Sequence, residues 1–217
     1  MDQFVKISLF IHVLAGIGAL FFGAIAIYLK NRTPQHRPIG RYYFYCMTII
    51  FVTGVYLSLL HHKLFLFFIS FFTYYACIIA YRILKIKDFQ PKPIDWAVEI
   101  VAGTVNTGLL LFGFYTLFQT QSADAIIPMA FGLIGCSGVY NNIRNFNRPP
   151  RYPRFWLEKH VGNMLGSYIG AITAFTVNQA WKFQIPNVVA WLGPTVIIVP
   201  IIYFELKKLG PKPEKIG

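Results

Sequence analysis

Several polar residues lie inside long apolar segments of this chain, where they could bind an ion or a polar solute. Glu99 and Asn106 are seven residues apart in one segment, and His160 and Asn163 are three residues apart in another. At these spacings each pair shares one face of a helix. A carboxylate or an imidazole inside a membrane segment usually faces the interior of the helix bundle and marks a functional site.

More residues that could bind a ligand flank these segments on the same predicted side of the membrane. Arginine side chains above a polar pocket suit phosphate or carboxylate groups, which they bind through paired hydrogen bonds. The sequence therefore predicts one cytoplasm-facing polar site that combines Glu99, Asn106, His160 and Asn163 with these flanking residues. The flanking residues are His36, Arg37, Arg41, Asn142, Arg144 and Glu158.

Histidines and carboxylates also suggest a metal centre as an alternative. His160, Glu99 and His12 are the candidate ligands, because imidazole and carboxylate groups both bind divalent metal ions. A haem held between two histidines would need partners at matching depth in the membrane. His12 and His160 are predicted to differ in depth by much of the membrane, and His36 is predicted in a loop, so the sequence pairs them poorly. Haem or a single divalent metal remains the alternative, and no cofactor is assigned.

The elements that must position these residues are apolar helices. Hydrophobic residues make up 56% of the chain and charged residues 13%, whereas soluble domains average about 25% charged residues. Seven segments are near or above the roughly 18 residues that span a bilayer. We expect an all-α, polytopic membrane protein: a seven-helix transmembrane domain at 1–206 and a basic cytoplasmic tail at 207–217. The predicted spans are 4–29, 42–60, 64–84, 94–118, 123–143, 155–177 and 186–206.

The basic residues predict how these spans are oriented. Of the 20 Lys and Arg residues, 17 fall in alternate loops and the tail, and the exceptions are Lys6, Lys63 and Lys182. This asymmetry follows the positive-inside rule, so the N-terminus is expected outside and the C-terminus in the cytoplasm. We expect a multi-pass protein of the plasma (inner) membrane whose basic loops meet anionic lipid head groups. The net charge of +12 is thus explained without nucleic-acid binding.

Several functional classes lack their signatures. Cys46, Cys77 and Cys136 lie within spans without metal-binding spacing, which argues against a zinc finger. Nucleotide-binding and hydrolase motifs are also missing from the sequence. We therefore expect binding or transport of a small molecule or lipid head group, or a role as an assembly subunit with a membrane-complex partner or as a homo-oligomer. Whether the chain is an enzyme stays open, and a haem- or metal-binding redox protein is the alternative.

Glycines and prolines give two local expectations. Gly162, Gly166 and Gly170 recur every four residues, which predicts a helix face that packs closely against another helix. In the first basic loop, Pro34, Pro38 and Gly40 are expected to stop helix formation.

The first fifty residues carry a resemblance to a known family. The segment HVLAGIGALFFGAIAI is followed by HRPIGRYYFYCM, which includes His36, Arg37 and Arg41. This arrangement resembles the bacterial membrane protein family known as domain of unknown function 2306, which has a histidine-bearing first span and an H-R-x-x-G-R-x-Y loop. The family's later segment of the H-x-x-W-M-x-R type has no counterpart here, where KIKDFQPKPIDW follows the third span. The resemblance implies a membrane protein and no particular activity.

Overall fold

The computed structural model describes residues 3–87, 90–150 and 154–209, and these residues form long helices without a β-strand. The predicted tail falls mostly on residues 210–217, which lie outside the described residues. Two short 3-10 turns, Ala123–Ala125 and Trp181–Phe183, precede the fifth and the seventh of these helices respectively. The seven long helices are α1 (Gln3–Tyr28), α2 (Thr33–Leu60), α3 (Leu64–Arg82), α4 (Pro93–Thr120), α5 (Ile126–Asn147), α6 (Phe155–Ala180) and α7 (Asn187–Lys207).

Six of these helices are long and apolar enough to cross a membrane, namely α1 to α5 and α7. The prediction of an all-α fold is confirmed, and the helices fit a multi-pass membrane protein. Helix α6 does not reach the same apolar character. It carries Glu158, Lys159, His160 and Asn163 in its first turns, so its polar residues must find partners inside the bundle.

Two helices, α3 and α6, occupy the middle of the bundle. Helix α3 packs against α2, α4, α5 and α6, and helix α6 packs against α1, α3 and α7. One buried core joins Ala19, Tyr43 and Cys77 with Tyr168 of α6. Burying these apolar and small side chains against each other holds α1, α2, α3 and α6 together.

Contacts between distant segments bring alternate helix ends to one end of the bundle, which we call the basic end. Lys30 after α1 forms a 3.2 Å ion pair with Glu205 in the last turns of α7. Ile83 and Ile86 after α3 form a buried cluster with Phe155, the first residue of α6. The chain therefore runs up and down, and the described residues of the basic loops lie at one end of the bundle.

Helix α2 begins nine residues earlier than predicted, and the expectation of a non-helical first loop was wrong. Pro34 lies in the first turn of α2, and Pro38 lies inside the helix. A proline in the first turn removes no hydrogen bond from the helix, because the first four backbone N–H groups of a helix have no partner within it. Pro38 costs one helical hydrogen bond, and the helix continues through it. As a result His36 is a helical residue and not a loop residue.

The glycine stripe of α6 packs only in part as expected. A Cβ atom added at Gly170 would lie 2.5 Å from Thr73 of α3, and one at Gly162 would lie 3.2 Å from Leu206 of α7. At Gly166 no described atom of another helix lies within 4 Å of the added Cβ. The stripe therefore meets two different helices near its ends, and the predicted close packing was wrong for Gly166.

Between α4 and α5, glycines lie against the backbone of the facing helix. A Cβ atom added at Gly132 would lie 2.6 Å from the backbone nitrogen of Leu110, and one at Gly113 would lie 2.7 Å from that of Met129. Because backbone atoms cannot rotate away, these two positions admit only glycine at the present helix separation.

Candidate functional site

The buried carboxylate of Glu99 is the centre of the polar site at the basic end. Its side chain is only 1% exposed, and it lies in the second turn of α4. The hydroxyl group of Tyr75 on α3 donates a 2.6 Å hydrogen bond to Glu99 Oε2. Within the described part of the chain, Glu99 Oε1 has no hydrogen-bond partner. A buried carboxylate oxygen without a donor is costly, so this oxygen is the place where a ligand or water would bind.

A chain of hydrogen bonds leads from Glu99 to helix α6. Asn142 of α5 donates from Nδ2 to the Tyr75 hydroxyl oxygen at 2.8 Å. Lys159 of α6 donates from Nζ to Asn142 Oδ1 at 3.3 Å, and its ammonium group also interacts electrostatically with Glu99. Four helices thus contribute one residue each, and each hydrogen bond in this series is donated in the direction of the Glu99 carboxylate.

An ion pair forms the wall of this site nearest the loops. Arg82 at the end of α3 donates from Nε to Asp95 Oδ1 at 2.6 Å and from a terminal nitrogen to Asp95 Oδ2 at 2.8 Å. Asp95 is 1% exposed and also accepts a hydrogen bond from the backbone nitrogen of Lys92, which caps the start of α4. This paired geometry satisfies both charges, so it fixes α3 against α4 where the crevice opens.

The crevice itself is narrow. Arg82, Asp95, Asn142 and Lys159 line it together with apolar residues such as Phe146. Its cavity volume is about 10 Å³, which is close to the minimum that holds one water molecule. In this conformation the crevice has room for water or a small ion beside Asn142 and Lys159 and too little for a larger organic molecule, and Glu99 does not line it.

The two predicted asparagines do not join Glu99 directly. Asn106 is buried and donates to the backbone oxygen of Ala102 in its own helix at 2.8 Å, while its Oδ1 lies against Gly135 of α5 and has no partner among the described residues. Asn163 donates to the backbone oxygen of Lys159, also in its own helix. Asn106 therefore lies deeper in the same α4–α5 seam as Glu99, and Asn163 belongs to α6 alone.

His160 contacts partners that differ from those of Glu99. Its Nδ1 lies 2.9 Å from the backbone oxygen of Ala80 on α3. Its ring meets the ring of His36, with centroids 6.4 Å apart and planes at 81°. His36 in turn places Nδ1 3.0 Å from the backbone oxygen of Ala26 on α1. The structure thus brings together two histidines that the sequence does not pair.

His12 lies apart from both groups. Its Nδ1 is 2.8 Å from the hydroxyl oxygen of Thr53 on α2, which itself donates to the backbone oxygen of Ile49 at 2.6 Å. His12 therefore donates to Thr53 and ties α1 to α2. Across the ranges 3–87, 90–150 and 154–209, no group of three or more His, Cys, Asp and Glu side chains could hold a metal ion.

The remaining predicted residues lie at the surface of the basic end. Arg37, Arg41 and Arg144 are exposed and do not line the crevice. Glu158 is half-buried and interacts electrostatically with Lys159. These arginines therefore do not contribute to a ligand site in the crevice.

The sequence interpretation missed Tyr75, Arg82, Asp95 and Lys159. Asp95 could have been found, because Asp95, Glu99 and Asn106 repeat along one face of α4. All three are 1% exposed. Tyr75 gives no such signal, since it lies in a run of aromatic residues whose inward face depends on how α3 is rotated in the bundle.

Known proteins give no further guide to this site. No family model, curated protein or solved structure matches the chain.

Proposed function

We propose that the chain is an integral membrane protein of the bacterial plasma (inner) membrane in which all seven helices span the bilayer. Six helices support this by their length and apolarity. Helix α6 has protein neighbours that accept its polar groups: Ser167 lies 2.7 Å from the Tyr43 hydroxyl, and the Tyr168 hydroxyl donates to the backbone oxygen of Leu20 at 3.0 Å. A helix that contacts α1, α3 and α7 can cross the bilayer with more polar residues than a lipid-facing helix.

In this proposal the basic end faces the cytoplasm and the N-terminus lies outside. The excess of Lys and Arg at that end supports the orientation, because short basic loops are retained on the cytoplasmic side. The exposed side chains of Arg37, Arg41 and Arg144 then meet anionic head groups, each contributing about 1 kcal/mol near the surface. Reporter fusions at Lys63 and at the C-terminus should report opposite sides, and finding both on one side would contradict the proposal.

We further propose that the cytoplasmic crevice leads to a binding site for a small cation. This class of ligand includes the proton. The observation that carries this proposal is the buried Glu99 carboxylate, of which one oxygen accepts from Tyr75 and the other lacks a donor among the described residues. A proton, an ammonium ion or an alkali-metal ion would supply the missing partner, and each is favoured by a negative oxygen in a low-dielectric site.

The size and charge of the surroundings support a small ligand. A cavity of about 10 Å³ has room for about one water molecule, so a lipid head group does not fit this conformation. Lys159 is the resident counter-ion, because its ammonium group interacts with Glu99 while bonding to Asn142. An entering cation would compete with the Lys159 ammonium group, which lowers the affinity of the site for that cation.

The path beyond Glu99 toward the opposite end is closed by apolar side chains. Leu109, Ile127 and Phe131 form a buried cluster between α4 and α5, and Leu109 is about 15 Å beyond Glu99 along α4 at the rise of an α-helix. This arrangement supports a site that is accessible from the basic end only. Transport across the membrane would require this apolar cluster to open.

The proposal is tested with the purified chain in lipid nanodiscs. Infrared spectroscopy detects a protonated carboxyl group, and calorimetric titration with sodium, potassium and ammonium ions detects cation binding. We expect one of these signals in the wild type, its loss in Glu99→Gln, and its retention in Asp124→Asn, where the exposed Asp124 bonds to Asn187 at the opposite end. The same result for Glu99→Gln as for the wild type would exclude the site and favour an assembly subunit.

A further inference from the structure

Two histidines of the basic end form a pair that the Glu99 site does not use. His36 lies in the first turns of α2 and His160 in the second turn of α6, so their contact joins segments 124 positions apart in the chain. Both side chains are partly buried. Their ring centroids are 6.4 Å apart, and the ring planes are nearly perpendicular.

The hydrogen bonds of each ring define which nitrogen can bind a ligand. His36 Nδ1 lies 3.0 Å from the backbone oxygen of Ala26, and His160 Nδ1 lies 2.9 Å from that of Ala80. A carbonyl oxygen can only accept a hydrogen bond, so both Nδ1 atoms carry the proton. In the neutral ring, Nε2 then holds the lone pair. Both histidines are therefore in the tautomer that coordinates a metal ion through Nε2.

The same hydrogen bonds orient the rings. Histidines that bind metal ions almost always donate their other N–H group to a carboxylate or a backbone carbonyl, which fixes the ring and makes the binding nitrogen more basic. Here the two carbonyls belong to α1 and α3, which pack against α2 and α6 respectively. The pair therefore has the supporting contacts of a metal site on both sides.

The separation of the ring centroids allows one shared ion when the two rings lie nearly opposite each other across it. A metal–nitrogen bond of about 2.1 Å and a distance of about 1.1 Å from Nε2 to the ring centre place the metal about 3.2 Å from each centroid. Two rings on opposite sides of one ion would thus be about 6.4 Å apart, and two rings at a tetrahedral angle about 5.2 Å. The observed 6.4 Å lies at the upper end of this range.

We propose that His36 and His160 bind one transition-metal centre through their Nε2 atoms. Imidazole ligands favour Cu²⁺, Ni²⁺ and Zn²⁺ over Mg²⁺ and Ca²⁺. Because no third His, Cys, Asp or Glu side chain in the described ranges completes a metal cluster, the other coordination positions belong to water or to an exchangeable ligand. Open positions are typical of catalytic or transfer sites, whereas structural zinc sites are closed. Haem iron has the same two-imidazole chemistry, so the experiment must separate it from a free ion.

The test uses the full chain in detergent or nanodiscs, with an affinity tag that contains no histidine. An absorbance spectrum of the purified protein identifies haem, and metal analysis identifies a bound ion. Titration with Cu²⁺, followed by electron paramagnetic resonance, then counts the nitrogen atoms on the metal. We expect one ion per chain with two imidazole nitrogens, and binding at least about tenfold weaker in His36→Gln and in His160→Gln.

Two controls keep the result decisive. His61→Gln and Asp124→Asn, at exposed residues of the opposite end, should both bind as the wild type does. If a haem band is present and either variant of the pair loses it, the metal is haem iron. If a variant misfolds, ¹⁵N-labelled histidine in the wild type still reports the ligands. Metal binding without two histidine nitrogens, or binding unchanged in both variants of the pair, would overturn the proposal.

Discussion

Adding one methyl group at Gly132 is expected to force α5 away from α4. A Cβ atom at this position would lie 2.6 Å, 2.7 Å and 2.8 Å from the nitrogen, Cα and Cβ of Leu110. Carbon atoms in good contact are about 3.5–4.0 Å apart. The Leu110 backbone cannot rotate out of the way, so the Gly132→Ala variant must open the helix contact by roughly 1 Å.

The size of the effect follows from two opposing contributions. Overpacking a tight contact costs about 1–3 kcal/mol, and the rigid backbone of Leu110 puts this case at the upper end. Alanine in a helix is about 1 kcal/mol more favourable than glycine, which offsets part of the cost. We expect Gly132→Ala to lower the free energy of unfolding by about 2 kcal/mol. The matched variant Gly166→Ala has open space around its Cβ, so it should raise the free energy of unfolding by up to about 1 kcal/mol.

The assay is unfolding of the purified chain in mixed micelles, with helix content followed by circular dichroism as sodium dodecyl sulfate is added. The two alanine variants should differ from each other by about 3 kcal/mol. A Gly132→Ala variant as stable as the wild type would refute the close α4–α5 contact. A Gly166→Ala variant as unstable as Gly132→Ala would show that the α6 stripe packs against something, such as a second copy of the chain.

Three further variants test the polar contacts of the basic end by the same unfolding assay. Asp95→Asn should lower the free energy of unfolding by about 3 kcal/mol, because it leaves the partly buried Arg82 without its charge partner. Adding Arg82→Gln should recover part of this loss, and fully additive losses would contradict the pairing. Tyr75→Phe should lower the free energy of unfolding by about 1–3 kcal/mol by removing the hydrogen bond that the Tyr75 hydroxyl donates to Glu99 Oε2, and an unchanged stability would exclude that bond. Glu205→Gln, at an exposed pair, should cause no measurable change, and a clear loss would show a stronger contact.

Apolar length predicts most of the fold. The predicted span at 64–84 corresponds to Leu64–Arg82, and that at 94–118 to Pro93–Thr120, because a bilayer requires about 20 consecutive apolar residues. The start of α2 could not be predicted in this way, since Pro34 and Pro38 normally indicate the end of a helix. A proline in the first turn is compatible with a helix, and the sequence does not show where that turn begins.

The candidate site is predictable only where a residue type is rare. Glu99 stands out because carboxylates seldom occur in membrane segments. Tyr75 is one of many aromatic residues in α3, and its role depends on which side of that helix faces α4. The pairing of His36 with His160 depends on both the early start of α2 and its packing near α6, so neither residue alone predicts the contact. Spacing shows which residues share a helix face, but not which helix that face contacts.

The polarity and the central position of α6 have a common consequence for the two proposed sites. Lys159 and His160 are consecutive, so their side chains leave the helix about 100° apart. One reaches Asn142 on α5 and the other reaches Ala80 on α3 and His36 on α2. A shift or rotation of α6 would therefore move the counter-ion of Glu99 and one imidazole of the histidine pair together. Because a metal bound by the pair would resist such a shift, its presence should also restrain Lys159 beside Asn142 and thereby favour the conformation in which Lys159 competes for Glu99.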